Sequence, residues 1–429
     1  MRSLGPRGAF GRAVILLAGA TAATQLLVVA ATPILTRLYT PSEFGTLAVF
    51  IAFLTILLSI VSLRYELAVP LAEDDGAAVN VLAVALLIAG LVSMLTAAVA
   101  IPLAGTISDW AGVPQLADYL WLLPVALLGG GVYQCLSYWT IRRQDYRRLA
   151  RTRLAQAGGQ VGSQVIIGAL VAGPIGLLVG AVLGRFNGTG ALALGFWRED
   201  RSVLGALGID GMKANAGRYR RFPQISSGSA LLNVLGIQLP ALLLSVFYGA
   251  HVLGWFALGQ RVIGLPMAII GAAVAQVYFG QAANLARTDR GQIRALFFRT
   301  ARRLALVGAV PIIPLAIAGP WLFSLVFGPE WEEAGQYVRV LSVMFIAQLV
   351  AVPLAQTLNV FERLDLQLLY DAVRLVLAAG GIVLAYQLGW SPLAAVASYS
   401  AGMLIAYVLS FWLSRSMFSQ PADASRTPA

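Results

Sequence analysis

The chain has 429 residues, of which 59% are hydrophobic and 11% are charged. Soluble globular proteins carry roughly 25% charged residues, and a soluble fold of this size would need more polar side chains for its surface than this sequence supplies. The composition therefore excludes an ordinary soluble protein and indicates that most of the chain lies in a membrane.

Twelve apolar runs are long enough to cross the hydrocarbon layer, which takes roughly 17–25 residues of helix. Because lipid cannot hydrogen-bond a backbone, and because the runs lack the alternation of barrel strands, they are predicted to be α-helices. The sequence thus predicts an all-α, polytopic membrane protein of about twelve transmembrane helices. The predicted spans are 13–36, 44–69, 80–102, 118–140, 152–172, 175–197, 226–248, 252–280, 304–327, 338–359, 365–387 and 392–414.

The formal net charge of +11 comes from basic residues concentrated in alternate connections. Most of the 30 Lys and Arg residues fall near the termini or in segments 141–153, 198–221 and 287–303, all on one side of the predicted membrane. This distribution follows the positive-inside rule and predicts an inner-membrane protein whose two termini are cytoplasmic. The basic charge is a topology signal and indicates no nucleic-acid partner.

The longest connection divides the chain into two halves. We predict an N-terminal six-helix lobe (1–197), a cytoplasmic linker (198–225), a C-terminal six-helix lobe (226–415) and a disordered tail (416–429).

A short pattern recurs in the two halves. Tyr39 is followed at six and nine residues by Gly45 and Ala48, and Tyr248 is followed at the same offsets by Gly254 and Ala257. The echo favours a parallel repeat, with two six-helix bundles around a central cavity.

Arginines within the predicted spans are candidates for substrate binding, namely Arg64, Arg185, Arg261 and Arg374. An arginine near the bilayer centre costs about 2.5–3.5 kcal/mol on insertion scales, so the deeper three are expected to face protein or a wet cavity. The guanidinium fork binds phosphate bidentately and stays charged at physiological pH. These residues therefore predict an anionic, phosphate-bearing cargo.

Two of these arginines have acidic neighbours in sequence. Glu66 can pair with Arg64, which is also close enough to a helix end to snorkel. Asp371 stands one helical turn before Arg374, so the two can neutralise each other. Asp371 is also the best-placed protonatable group, and it is the predicted ion-coupling residue.

Amide side chains form a second candidate set. Gln156, Gln160 and Gln164 recur every four residues on one helix face. Such amides either hydrogen-bond between helices or line a hydrophilic lumen that passes sugar hydroxyls. The amides predicted to bind substrate are Gln25, Gln160, Gln164, Asn233 and Gln238. On the next helix, Gly176, Gly180, Gly184 and Gly188 predict close helix packing.

The sequence carries no enzyme signature. It has no phosphate-binding glycine loop with a lysine and no nucleophile elbow, and its one Cys and one His cannot form a metal cluster. We therefore predict a non-enzymatic protein without cofactor or metal.

Six stretches resemble the bacterial oligosaccharide flippases of the Wzx type, which share a superfamily with the lipid II flippase and the multidrug and toxin extruders. The resemblance runs from about residue 11 to residue 415. The stretches are RLYTPSEFG (37–45), SLRYELAVPLAEDD (62–75), WTIRRQDYRR (139–148), YRRFP (219–223), ALGQRVIGLP (257–266) and FGPEWEEAGQY (327–337).

The resemblance implies a V-shaped pair of six-helix lobes that moves an undecaprenyl-diphosphate-linked sugar repeat unit from the cytoplasmic to the periplasmic leaflet by alternating access. Further partners would be membrane lipid and the polysaccharide polymerase and chain-length proteins. Arg37, Arg64 and Arg261 match the family's arginine-bearing motifs, whereas Arg185 stands where relatives are expected to carry an amide.

Two alternatives stay open. A drug or ion antiporter of the same superfamily should offer membrane carboxylates for a cationic cargo, and a membrane glycan polymerase should show a long external loop. The surplus of arginine and the short external segments favour the flippase.

Overall fold

The structure is a computed structural model that describes residues 6–288, 290–361 and 363–418. Throughout these ranges the regular elements are helices, and no strand occurs in them. The α-helices of the described residues are α1 (Pro6–Leu38), α2 (Pro41–Leu58), α3 (Asp75–Ala100), α4 (Ala104–Trp110), α5 (Leu122–Arg142), α6 (Tyr146–Leu170), α7 (Ile175–Glu199), α8 (Ile209–Arg218), α9 (Ser227–Gly259), α10 (Leu265–Thr288), α11 (Arg290–Phe327), α12 (Glu332–Leu354), α13 (Gln356–Val360), α14 (Leu364–Gln387) and α15 (Pro392–Ser416).

The predicted all-α membrane fold is confirmed. In the described part of the chain, 10 helical segments are long and apolar enough to cross a membrane. The predicted spans at α5 and α6 are not among them, because these two helices carry glycines, amides and terminal arginines that lower their apolarity. The predicted tail, from residue 419 onward, lies outside the described residues.

One predicted span is broken in the structure. Where a single helix over 44–69 was expected, α2 ends at Leu58 and a turn leads into a 3-10 helix over Tyr65–Leu71. Leu63 and Arg64 both have positive φ in this turn, at 47° and 64°. The run carries no Gly or Pro at the break, so hydropathy alone could not reveal it.

Two other predicted spans meet at a kink. The turn expected between 226–248 and 252–280 is reduced to Gly249, whose φ of 85° lies inside α9. A π-helical segment, Gln260–Gly264, then joins α9 to α10.

The chain divides into two compact units, Met1–Gly254 and Trp255–Ala429. In the first unit, the connection at 198–225 is folded against α3. Asn80 donates to the Ala206 carbonyl at 3.0 Å and accepts from the Gly208 amide at 3.1 Å, and the Tyr65 hydroxyl donates to the Ala216 carbonyl at 3.0 Å. The predicted lobes and their linker boundary stay a prediction.

The second unit has an aromatic core beyond the apolar part of α11. Ile293 and Phe297 of α11 are fully buried, and the Phe297 ring lies 5.0 Å from Phe411 and 5.3 Å from Phe418. This packing explains why α11 begins at Arg290, well before the predicted span at 304–327.

The two segments that carry the recurring Tyr–Gly–Ala pattern contact each other within the first unit. A Cβ on Gly45 would overlap the carbonyl oxygen of Ala250, and a Cβ on Gly254 would overlap the carbonyl oxygen of Pro41. The contact is reciprocal, because the glycine of each segment lies against a backbone carbonyl of the other. Neither position has room for a side chain, which gives a physical reason for the glycine in both copies.

Candidate functional site

The turn after α2 builds a buried charged site. Glu66 is fully buried and accepts hydrogen bonds from the hydroxyl of Ser62 and from Gln134 Nε2, the latter at 2.8 Å. Arg64 Nη1 lies 3.5 Å from Glu66 Oε1. The predicted pairing of Arg64 with Glu66 is therefore present in the structure.

The guanidinium of Arg64 keeps unused hydrogen-bonding capacity. Its Nε is buried and has no hydrogen-bond partner among the described residues. The left-handed backbone of Arg64 costs of order 1–3 kcal/mol for a residue other than glycine, and such strain clusters at functional sites. The site thus combines a satisfied carboxylate with an incompletely satisfied guanidinium, which is suited to accepting a further anion.

Arg185 reaches the same region from α7. Its Cδ would lie 3.3 Å from a Cβ on Gly130, and a Leu58 methyl carbon would lie 2.9 Å from the same point. Gly130 and Gln134 are one turn apart on α5, about 6 Å along the axis. The structure therefore packs Arg185 against α5 one turn away from Gln134, the residue that contacts the Glu66 carboxylate.

A second cluster surrounds Arg374 in the second unit. Arg374 lies 3.4 Å from Asp371, as predicted from their spacing, and 5.7 Å from the centre of the Tyr370 ring. Tyr399 shares a hydrogen bond with Gln260, and it lies close enough to Arg374 to interact with its positive charge.

Arg261 is partly buried in the π-helical segment, directly after Gln260. The predicted arginines consequently fall in different units, with Arg64 and Arg185 in the first and Arg261 and Arg374 in the second.

The amide stripe of α6 packs against the glycine stripe of α7. Gln164 is fully buried and donates to the Leu177 carbonyl at 3.0 Å, while Gln156 donates to the Arg185 carbonyl at 3.4 Å. A Cβ on Gly184 would lie 2.7 Å from the Cβ of Gln160. Close helix packing is confirmed, and these contacts favour the interhelical interpretation of the stripe; sugar binding by Gln160 and Gln164 stays a prediction.

The remaining predicted residues lie apart from these contacts. Arg37, in the last turn of α1, and Asn233 are exposed, whereas Gln25 and Gln238 are partly buried. Their predicted contacts with substrate stay predictions.

Sequence reasoning did not predict Glu66 as a central residue of the site. From the sequence alone it stands out only as a counter-ion for Arg64. Its full burial and its contact with Gln134 come from the broken helix, which hydropathy does not show.

A separate ion-pair network lies where α3 begins and α5 and α7 end. Asp75 contacts Arg142 at 3.0 Å and Arg143 at 2.8 Å, and Asp200 contacts Arg143 at 2.7 Å and the Trp139 indole nitrogen at 2.9 Å. Burial alone would lower the pKa of Arg143, but Asp200 and Asp75 outweigh it and raise that pKa above its usual value. The network joins the ends of these three helices on the side predicted to be cytoplasmic.

Comparison with known families identifies the chain's relatives. The family described as "Polysaccharide biosynthesis protein" matches residues 34–336. The chain belongs to this family. Among curated relatives, it is 27% identical to the teichuronic acid biosynthesis protein TuaB of Bacillus subtilis over 192 residues, which span 45% of this chain and 39% of TuaB.

A second relative is the amylovoran biosynthesis protein AmsL of Erwinia amylovora, with 24% identity over 251 residues, or 58% of this chain and 63% of AmsL. The chain thus matches less than two thirds of the length of both relatives.

Solved structures share the fold. An inward-facing multidrug resistance transporter of the MATE family aligns with a TM-score of 0.75 at 14% identity, covering 95% of this chain and 100% of the other. The lipid II flippase MurJ aligns with a TM-score of 0.69 at 9% identity, covering 94% of this chain and 87% of MurJ. The chain is therefore a membrane protein of this family, and it has the fold of the MATE transporter and of MurJ.

Proposed function

We propose that this protein is a flippase that moves a lipid-linked oligosaccharide with a diphosphate head from the cytoplasmic to the periplasmic leaflet of the inner membrane. The observation that carries the proposal is the charged site at Arg64. The buried Nε of the Arg64 guanidinium has no hydrogen-bond partner among the described residues. Arg185 packs against α5 one turn from Gln134, which contacts the counter-ion Glu66, in a membrane protein of a polysaccharide biosynthesis family.

The chemistry of the cargo explains why a charged site would sit in membrane spans. A diphosphate and its sugars cannot cross hydrocarbon unaided, whereas a polyprenyl tail can stay in lipid. Arginine forms bidentate hydrogen bonds to phosphate and is more weakly hydrated than lysine. A bound anion therefore offsets the unfavourable free energy of placing the arginine charge inside the membrane. A site of this kind carries the head while the tail follows in the bilayer.

Membrane potential is the proposed driving force. Since the cytoplasm is negative, outward movement of an anionic head is favoured by about 2.3 kcal/mol per charge for each 100 mV. The empty carrier then holds uncompensated arginine charge, whose return inward is favoured by the same field. In this scheme Asp371 neutralises Arg374; in the rival scheme Asp371 carries a coupling ion.

A drug or ion antiporter is the second candidate, and the observation in its favour is the buried carboxylate of Glu66. Such a transporter would use Glu66 and Asp371 to hold a cation or a proton. A glycan polymerase is less well supported, because the fold is shared with transporters.

The sign of the cargo's charge can be tested by expressing arginine variants in a strain from which the gene has been deleted. Arg261→Ala is expected to abolish polysaccharide export and leave lipid-linked oligosaccharide on the cytoplasmic side, while the protein still inserts. Arg261→Lys should restore part of export, since lysine keeps the charge and loses the fork. Arg220→Ala, at an exposed arginine outside both clusters, is the matched control. Full export by Arg261→Ala would show that Arg261 does not contact the cargo.

A further inference from the structure

A cavity of about 400 Å³ lies between the first turns of α6 and the last turns of α7. It is separate from the charged site at Arg64. Its lining residues are Asp145, Arg147, Arg148, Arg151, Thr152, Ala155 and Ala191.

Two of the three arginines in the cavity are not neutralised. Arg148 lies 3.2 Å from Asp145 and also pairs with Glu199. Arg147 and Arg151 are exposed, and neither takes part in an ion pair with any described residue. They stand four residues apart on one helix face, about 6 Å along the axis. The cavity therefore presents two positive charges one turn apart.

An exposed apolar face of α7 leads to this cavity. Leu183, Phe186, Leu194 and Trp197 recur at helical spacing along it, and Trp197 is 59% exposed. Ala191, at the edge of the same face, lines the cavity. Tryptophan is enriched where membrane meets water, so the exposed Trp197 favours a position for this cavity at the depth of the lipid headgroups.

The same helix separates this cavity from the candidate transport site. Arg185 projects from a different side of α7, toward Gly130 of α5. A ligand in the cavity would instead lie beside the exposed apolar face of α7, and a resident lipid fits this position better than transported cargo does.

We propose that this cavity binds an anionic membrane phospholipid with two phosphates, of the cardiolipin class, with one phosphate at Arg147, the other at Arg151 and the acyl chains along the exposed face of α7. Basic pockets between transmembrane helices on the cytoplasmic side recognise such headgroups. The site goes beyond the proposed transport function, and no transport step depends on it.

Native mass spectrometry of the delipidated full-length protein tests the proposal, with tetraoleoyl cardiolipin, phosphatidylglycerol and phosphatidylethanolamine as probes. Cardiolipin is expected to bind most tightly. Each arginine near an anionic headgroup contributes to the free energy of lipid binding. The double variant Arg147→Gln/Arg151→Gln should therefore bind cardiolipin at least roughly tenfold more weakly than the wild type does. The matched control, Arg220→Gln/Arg221→Gln, changes two exposed arginines outside the cavity and should bind as the wild type does.

Two further variants separate a lost site from a damaged protein. Arg147→Lys/Arg151→Lys keeps the charges and should retain most binding. Ala191→Glu places a carboxylate in the cavity and should weaken binding without removing an arginine. Equal losses in the control pair would show a diffuse basic surface and overturn the proposal, as would unchanged binding in the double variant. Tighter binding of a polyprenyl diphosphate than of cardiolipin, lost with Arg147 and Arg151, would assign the cavity to cargo instead.

Discussion

Removal of the Arg64 guanidinium should cost both stability and transport, for different reasons. Arg64→Ala leaves the fully buried carboxylate of Glu66 without its nearby cation. Breaking a buried ion pair typically costs 3–5 kcal/mol. Here the side chain of Arg64 is 27% exposed, the ions are 3.5 Å apart, and Ser62 and Gln134 still satisfy Glu66. The expected loss is therefore smaller, about 2–3 kcal/mol.

A second variant distinguishes structural from functional loss. Glu66→Gln removes the buried charge and keeps a side chain of the same shape, so Arg64→Ala/Glu66→Gln should regain most of the lost stability. If Arg64 contacts the diphosphate, the double variant stays inactive in transport despite its recovered fold. If Arg64 serves only to neutralise Glu66, the double variant recovers both.

Thermal unfolding in detergent and transport in proteoliposomes, measured on the same protein preparations, give the two values needed. The single variant should unfold at a clearly lower temperature, and the double variant close to the wild type. Recovery of both stability and transport in Arg64→Ala/Glu66→Gln would refute a substrate role for Arg64.

The remaining predictions concern packing, coupling and topology. Gly45→Ala should lower the unfolding temperature, because its methyl group overlaps a backbone carbonyl, whereas Gly90→Ala, in open space, should not; equal effects would contradict the packing argument. Collapse of the membrane potential at fixed pH and Na⁺ should slow transport strongly, with Asp371→Asn tolerated better than Asp371→Ala; transport that follows the pH or Na⁺ gradient and ignores the potential would make Asp371 the ion site. Cysteines introduced into 141–153 should be labelled only from the cytoplasm and those in 328–337 only from outside, and external labelling of 141–153 would contradict the predicted topology.

The fold was predictable because long apolar runs in lipid have few structures available to them. The bounds of α7, α14 and α15 follow the predicted spans closely, since each is a single apolar run between turns. The break after Leu58 was not predictable, because an apolar segment can turn inside a protein without a change in composition when neighbouring side chains satisfy its backbone.

The candidate site was predictable only in part. The spacing of Arg374 and Asp371 gave a contact that the structure contains, because the two residues share one helix. The link from Glu66 to Gln134 joins segments that are 68 residues apart, and no periodicity within either segment predicts it. Tertiary packing also decides the role of Gln164, whose side-chain amide donates a hydrogen bond to a backbone carbonyl of the neighbouring helix.

Flipping of a purified lipid-linked oligosaccharide in proteoliposomes tests the central claim most directly. The substrate carries a polyprenyl diphosphate, an inside-negative or inside-positive potential is imposed, and a membrane-impermeant glycosidase reports which leaflet holds the sugar. We predict that the protein moves the sugar between leaflets, and that the rate rises when the receiving side is positive. Unchanged leaflet distribution with folded protein, together with export of a cationic drug by the same preparation, would contradict the account and support the antiporter.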